Sequence, residues 1–199
     1  MNRRSLLLSL PAALGCAGLA AHAQAKLKIV ASFSILADFV REVAGDAAEV
    51  TALVGPDQDA HSFEPAPSDA RALSGADVVV LNGLGFEGWL DRLVRSSGFK
   101  GKRIVATDGV KTRRSAATGG GRGGGHNHSH GGTDPHVWQD PGRVLTMVRN
   151  IASGLAAADV GRASIYARNG DAYLARLAEL DGWISGQIAT VPAGRRKII

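Results

Sequence analysis

The chain has 199 residues, 45% of them hydrophobic and 21% charged, which suits one substantial core or two small ones and excludes wholesale disorder. Its single cysteine, Cys16, excludes a disulfide framework and a cysteine-rich zinc module, and 5% aromatic residues argue against a stacking platform for single-stranded nucleic acid. The formal charge of +5 gathers into no stripe, since Arg113-Arg114 and Arg195-Arg196-Lys197 are short separate clusters; a mildly basic solvated surface is expected, with no nucleic-acid partner.

Residues 1–25 read as a cleaved secretory leader. Arg3-Arg4 gives a positive start, Leu6 to Ala21 is an apolar run, and small residues at Ala21, Ala23 and Ala25 suit signal peptidase. Pro11 and Gly15 interrupt the run, which falls short of the roughly 20 clean apolar residues a membrane span needs. Removing two arginines and no acids leaves 21 basic and 18 acidic residues, a charge of +3. The leader sends the chain out of the cytoplasm, to the periplasm.

Leu27 to Phe33 reads as a buried strand. Ile35, Leu36, Phe39, Val40 and Val43 form one apolar stripe of a helix ending near Gly45. Glu49 to Val54 is a second strand stopped by Gly55-Pro56, and Ser68 is placed to cap a short helix carrying Ala72 and Leu73. Asp77 to Leu81 is a continuous apolar strand of the kind buried in parallel sheets. Trp89, Leu90, Leu93 and Val94 mark a further helix, and Arg103 to Ala106 a further strand. This alternation predicts an α/β fold with a mostly parallel sheet flanked by helices, whose ligands bind at the carboxyl ends of the strands.

An insert at about 111–133 breaks the pattern. From Gly119 to Gly132 eight of fourteen residues are glycine, with His126, His128 and His130 alternating among them. That composition predicts a flexible segment that captures metal in an auxiliary way, or else a solvated loop without a role. From Pro141 the chain reads as helical, one helix carrying Val144, Leu145, Val148, Ile151 and Leu155. A longer one runs from about Arg162 to near Ala189, with Leu174, Leu177, Leu180, Ile184 and Ile188 on a shared stripe. Val191 to Gly194 reads as a turn and Arg196 to Ile199 as a strand that begins as the sequence stops.

His61 lies in the loop after the second strand, and His136 lies in Asp134-Pro135-His136-Val137-Trp138 just ahead of a helix. Neutral imidazole is a good ligand for zinc and related ions, and a carboxylate can orient its other ring nitrogen. Asp59, Glu64, Asp134 and Asp140 are the candidates for that supporting role. On spacing alone, two ordinary loop histidines remain the alternative. A rival reading makes the His126-x-His128-x-His130 cluster the centre of a zinc hydrolase, but Gly131-Gly132 stands where an assisting acid is expected. Gly83-Leu84-Gly85-Phe86-Glu87-Gly88 is a weak match to a nucleotide-binding loop and is set aside.

Taken together, Gly55 to Asp69 (GPDQDAHSFEPAPSD), Ala76 to Leu90 (ADVVVLNGLGFEGWL), the histidine-rich insert and Asp134 to Pro141 (DPHVWQDP) form a specific combination. The chain resembles the metal-binding solute-binding proteins of bacterial zinc and manganese ABC transporters. The resemblance implies two lobes joined by one long helix, with the ion in the cleft held by two ligands from each lobe. His61 and His136 match the pair from the amino-terminal lobe. The other two ligands are expected beyond residue 199, so that the chain carries half of the site. The implied organisation is a leader over 1–25, an amino-terminal lobe over 26–158, a linking helix over 159–190 and the start of a second lobe over 191–199. The implied function is capture of a divalent metal ion for an ABC permease of the inner membrane, without enzymatic activity. The histidine-rich insert favours zinc by resemblance, and ligand chemistry agrees, since imidazole suits zinc and manganese prefers more oxygen ligands; manganese is the second choice. A remnant that only chelates metal is the remaining alternative.

Overall fold

A computed structural model describes residues 25–112 and 133–196. The leader, the His126, His128 and His130 cluster and the strand expected at Arg196 to Ile199 therefore lie wholly or largely outside the described residues.

Four strands form one parallel sheet: β1 (Leu27–Phe33), β2 (Ala48–Val54), β3 (Val78–Leu81) and β4 (Lys102–Val105), in the order β2-β1-β3-β4. β1 is central, with Ile29 opposite both Val50 and Val78, and its last five residues are buried. All four residues of β3 are buried too. Such continuous apolar runs belong to strands covered on both faces, which is why they lack an alternating pattern.

The connections supply the covering helices. α1 (Ser34–Ala44) buries Leu36, Ala37, Phe39, Val40, Val43 and Ala44, one stripe of a 3.6-residue repeat, and ends at Gly45, whose φ of 53° favours glycine. It packs with α4 (Pro141–Ala158) and α5 (Ala163–Thr190), while α2 (Pro67–Ser74) packs with α3 (Leu90–Ser97). This grouping is what right-handed crossovers produce when the chain first steps from β1 out to β2 and then returns past β1 to β3. The reversal makes the crevice between the carboxyl ends of β1 and β3 the switch point at which open α/β sheets bind ligands.

Two local details differ from the sequence expectations. α2 is capped from Ala66 and not from Ser68. Pro67 occupies the first helical position, where its missing N–H is harmless, and the Asp69 carboxylate accepts the Ala66 N–H at 2.7 Å. In α5 full burial of the apolar stripe ends at Leu177, and Ile184 beyond it is only half-buried. Leu180 and Ile188 are exposed, at 43% and 52%, and Trp183 at 62%. The first half of α5 is anchored by Tyr166, which is fully buried and donates to Asp159 at 2.9 Å. Burial, and then the Asp159 carboxylate, push the Tyr166 phenol up to about 12.

Candidate metal site

Three segments meet at the carboxyl edge of the sheet: the loop after β2 with His61, the loop after β3 with Phe86, and the segment leading into α4 with His136. His61 and His136 are 75 residues apart, yet their Nε2 atoms lie 3.0 Å from one another. Two nitrogens bound to one tetrahedral zinc at about 2.0 Å would sit roughly 3.3 Å apart. The pair therefore needs only a few tenths of an ångström of adjustment to share an ion.

Each histidine follows an acid by two residues, and each acid holds the backbone of its histidine. Asp59 accepts the Ser62 hydroxyl at 2.7 Å and the His61 N–H at 2.9 Å, and these bonds lower its pKa in that order. Asp134 accepts the His136 N–H at 3.0 Å, and the same oxygen lies 2.8 Å from His136 Nδ1. The backbone bond first and the imidazole second hold the Asp134 carboxyl below its usual value. A carboxylate at Nδ1 keeps the ring proton there and leaves Nε2 with its lone pair facing the partner imidazole. The short contact between the rings is then a hydrogen bond from His61 Nε2–H to His136 Nε2, and that proton must leave when an ion enters.

The other two candidate acids stand differently. The Asp140 carboxylate caps α4, accepting the Arg143 N–H at 3.3 Å and pairing with the Arg143 guanidinium at 3.2 Å. Glu64 is exposed and, among the described residues, hydrogen-bonds to neither histidine. No group of three or more His, Cys, Asp or Glu residues converges as a metal shell among the described residues.

An aromatic wall backs the pair. Phe86 meets His61 and His136 edge-on, with ring centroids at 4.7 and 5.9 Å, and packs on Phe33 at 5.2 Å and Trp138 at 4.9 Å. Trp138 also meets His136 at 5.2 Å. These rings and the loop from Gly55 to His61 line a pocket of about 280 Å³ open to one side. The wall keeps water from the back of the imidazoles and fixes their planes. Motif alone does not mark Phe33 and Phe86 as site residues, because their pattern is that of ordinary core. Their placement, Phe33 at the end of β1 and Phe86 in the loop after β3, is the one signal that would have found them.

The glycine-rich loop after β3 is explained by its acid. Glu87 is buried, and its carboxylate accepts the Ser32 hydroxyl and the Asn82 N–H at 2.6 Å each and the Gly83 N–H at 3.1 Å. A carboxylate thus occupies the backbone donors that a phosphate would need. Positive φ at Gly83, Leu84 and Gly85 folds the chain back so that Glu87 reaches them.

A family profile described as zinc-uptake complex component A, periplasmic, matches residues 29–199. The chain is 38% identical over 175 residues to the manganese-binding lipoprotein MntA of Halalkalibacterium halodurans, covering 87% of this chain and 53% of that protein. It is 28% identical to the iron-binding protein YfeA of Yersinia pestis, again over 87% of this chain and 53% of the relative. The crystal structure of Zn(II)-bound AdcA from Streptococcus pneumoniae superposes with a TM-score of 0.69 at 29% identity, covering 83% of this chain and 33% of AdcA. The chain spans about half the length of the curated relatives it matches. With the profile matching every residue after the first 28, the chain belongs to the family of periplasmic zinc-uptake component A proteins.

Proposed function

We propose that this chain supplies half of a transition-metal site for the substrate-binding component of a metal ABC transporter, working outside the cytoplasm and delivering its ion to a membrane permease. The observation that carries this reading is the approach of His61 Nε2 and His136 Nε2 to 3.0 Å at the switch point of the sheet. Capture proceeds by ligand exchange, the two imidazoles replacing water on the ion while Asp134 holds the His136 proton at Nδ1. No nucleophile or general acid is required and no bond in a substrate is broken, in keeping with relatives that are named as binding proteins and lipoproteins.

Zinc is the first choice of ion, since two neutral imidazoles are half of a shell that suits it. The relatives are named for manganese and iron as well, so the remaining donors decide the preference. The histidines at 126, 128 and 130 serve as an auxiliary collecting segment. The expected leader at residues 1–25 supports export, and the word lipoprotein in the name of the relative MntA is compatible with it.

The test is a zinc titration near neutral pH, with a His61→Ala/His136→Ala double variant and a variant lacking Gly119 to Gly132. The expected outcome is that the double variant loses a site which the deletion keeps. If only the deletion loses zinc, the chain is a histidine-rich chelator and the cleft reading fails. Parallel titrations with manganese and ferrous iron rank the ions, and zinc is expected to bind most tightly.

A further inference from the structure

Both imidazoles are held by their backbones from one loop. The carbonyl immediately before His61 belongs to Ala60, and it accepts the indole N–H of Trp89 at 2.8 Å. The carbonyl immediately before His136 belongs to Pro135, and it accepts the side-chain amide of Asn82 at 3.1 Å. Asn82 and Trp89 are the two ends of the segment that follows β3, and Phe86, midway along it, stands against both rings. We propose that residues 82–89 form a bracket that sets the separation of the two metal-binding histidines, with Asn82 and Trp89 as positioning residues for His136 and His61 respectively. This inference rests on the function proposed above.

The bracket is built to be stiff. Asn82 is completely buried, and Trp89 is 5% exposed and packs edge-on against Phe63 at 4.9 Å. The Asn82 amide orientation is set by its surroundings: Nδ2 faces two carbonyls, those of Pro135 and Gly83, and the flipped rotamer would turn oxygen towards both. This choice leaves Asn82 Oδ1 buried without a partner among the described residues, an expense that a purely structural side chain could avoid. At the base, the Asn82 carbonyl accepts both the backbone N–H and the hydroxyl of Thr107, tying the bracket to the end of β4. Glu87 closes the loop on the Asn82 and Gly83 amides. The two arms thus leave one rigid piece from its two ends, and each ends one residue short of a ligand. A ligand pair held this way has its spacing fixed before the ion arrives, which is what a site needs if it is to prefer one ion radius over another.

The test uses the full chain carrying His126→Ala, His128→Ala and His130→Ala, so that zinc reports on His61 and His136. Trp89→Phe keeps the ring packing and removes the donor to Ala60; Asn82→Leu keeps the volume and removes the donor to Pro135. Each is expected to weaken zinc binding by about tenfold. In a His61→Ala background Trp89→Phe should have no further effect, because it acts through that residue. Before zinc is added, imidazole nitrogen resonances should move selectively, His61 in Trp89→Phe and His136 in Asn82→Leu. Leu177→Ala in α5 is a stability control: it should lower the melting temperature and leave zinc affinity unchanged. Unaltered affinity in both bracket variants, equal weakening in the Leu177→Ala control, or unselective resonance shifts would overturn the bracket. If instead His61→Ala leaves zinc affinity intact, the proposed function itself fails, whatever the bracket variants do. Should Asn82→Leu not fold, Trp89→Phe with the His61→Ala cycle decides the matter alone.

Discussion

At the scale of single residues, Glu87 is pulled in two directions. Burial raises its pKa, and the Ser32 hydroxyl and the Asn82 and Gly83 amides pull the other way without cancelling the shift. A carboxyl with a raised value in the folded state binds its proton more tightly there than in the unfolded chain. Its contribution to stability is therefore fully present below the ordinary value of 4.5 and is lost as pH rises through the folded value. Asp59 and Asp134 have the opposite sign: their values are lowered, so their contributions are present above 3.8 and are lost as pH falls. Glu87→Gln removes the first dependence and leaves the second alone. It also turns one acceptor oxygen into a donor facing N–H groups, a loss of about 1 kcal/mol that does not vary with pH. Denaturant unfolding of both proteins at about pH 5 and pH 7 should thus show the variant gaining on the parent at the higher pH. A constant difference between the two would mean that Glu87 titrates alike in the folded and unfolded chains.

At the level of elements, the glycines of the two long helices separate packing from propensity. A Cβ on Gly154 would lie 2.6 Å from Cδ1 and 2.7 Å from Cγ1 of Ile104, whereas one on Gly182 or Gly186 would meet nothing within 4 Å. Gly154→Ala should therefore destabilise by about 1–3 kcal/mol through overpacking of α4 against β4. Gly182→Ala should stabilise by about 0.5–1 kcal/mol, because alanine has the better helix propensity and nothing obstructs it. Thermal melts of the two variants check the contrast, and shifts of the same sign would contradict it. In sequence both are glycines inside helices, each costing about 1 kcal/mol of propensity relative to alanine; only the neighbour across the interface distinguishes them. The same holds more widely. The limits of β1 and the span of α5 were legible, since continuous apolar strands and long 3.6-residue repeats are local signals. The end of burial at Leu177 was not, because periodicity marks a face and says nothing of what covers it. His61 and His136 stood out by loop chemistry. The aromatic wall did not, since Phe33, Phe86 and Trp138 come from three distant segments and meet only once the sheet order is known.

At the scale of the whole molecule, the apolar face of the distal half of α5 has a physical consequence. Leu180, Trp183 and Ile188 are all more than 40% exposed, along with Val191 at 39%, within a dozen residues of one another. At this spacing they lie near one side of a helix that has left the core behind, and clustered apolar side chains of this size seldom stay solvated when a matching surface is available. In a solution of this chain alone the matching surface is the same helix of another copy, so association should appear and should strengthen with protein concentration. Leu180→Glu/Trp183→Glu places charge on that face without touching the sheet or the two histidines. Sedimentation velocity should then show concentration-dependent association for the parent and a single monomeric species for the variant, with far-ultraviolet circular dichroism unchanged. Zinc affinity should be the same in both if the ion is held at the strand ends, since neither substituted side chain lines the pocket there. A parent that sediments as a monomer at every concentration would mean that these side chains are tolerated in water, and that their exposure contributes nothing to assembly. A variant that associates as strongly as the parent would place the contact elsewhere on the surface.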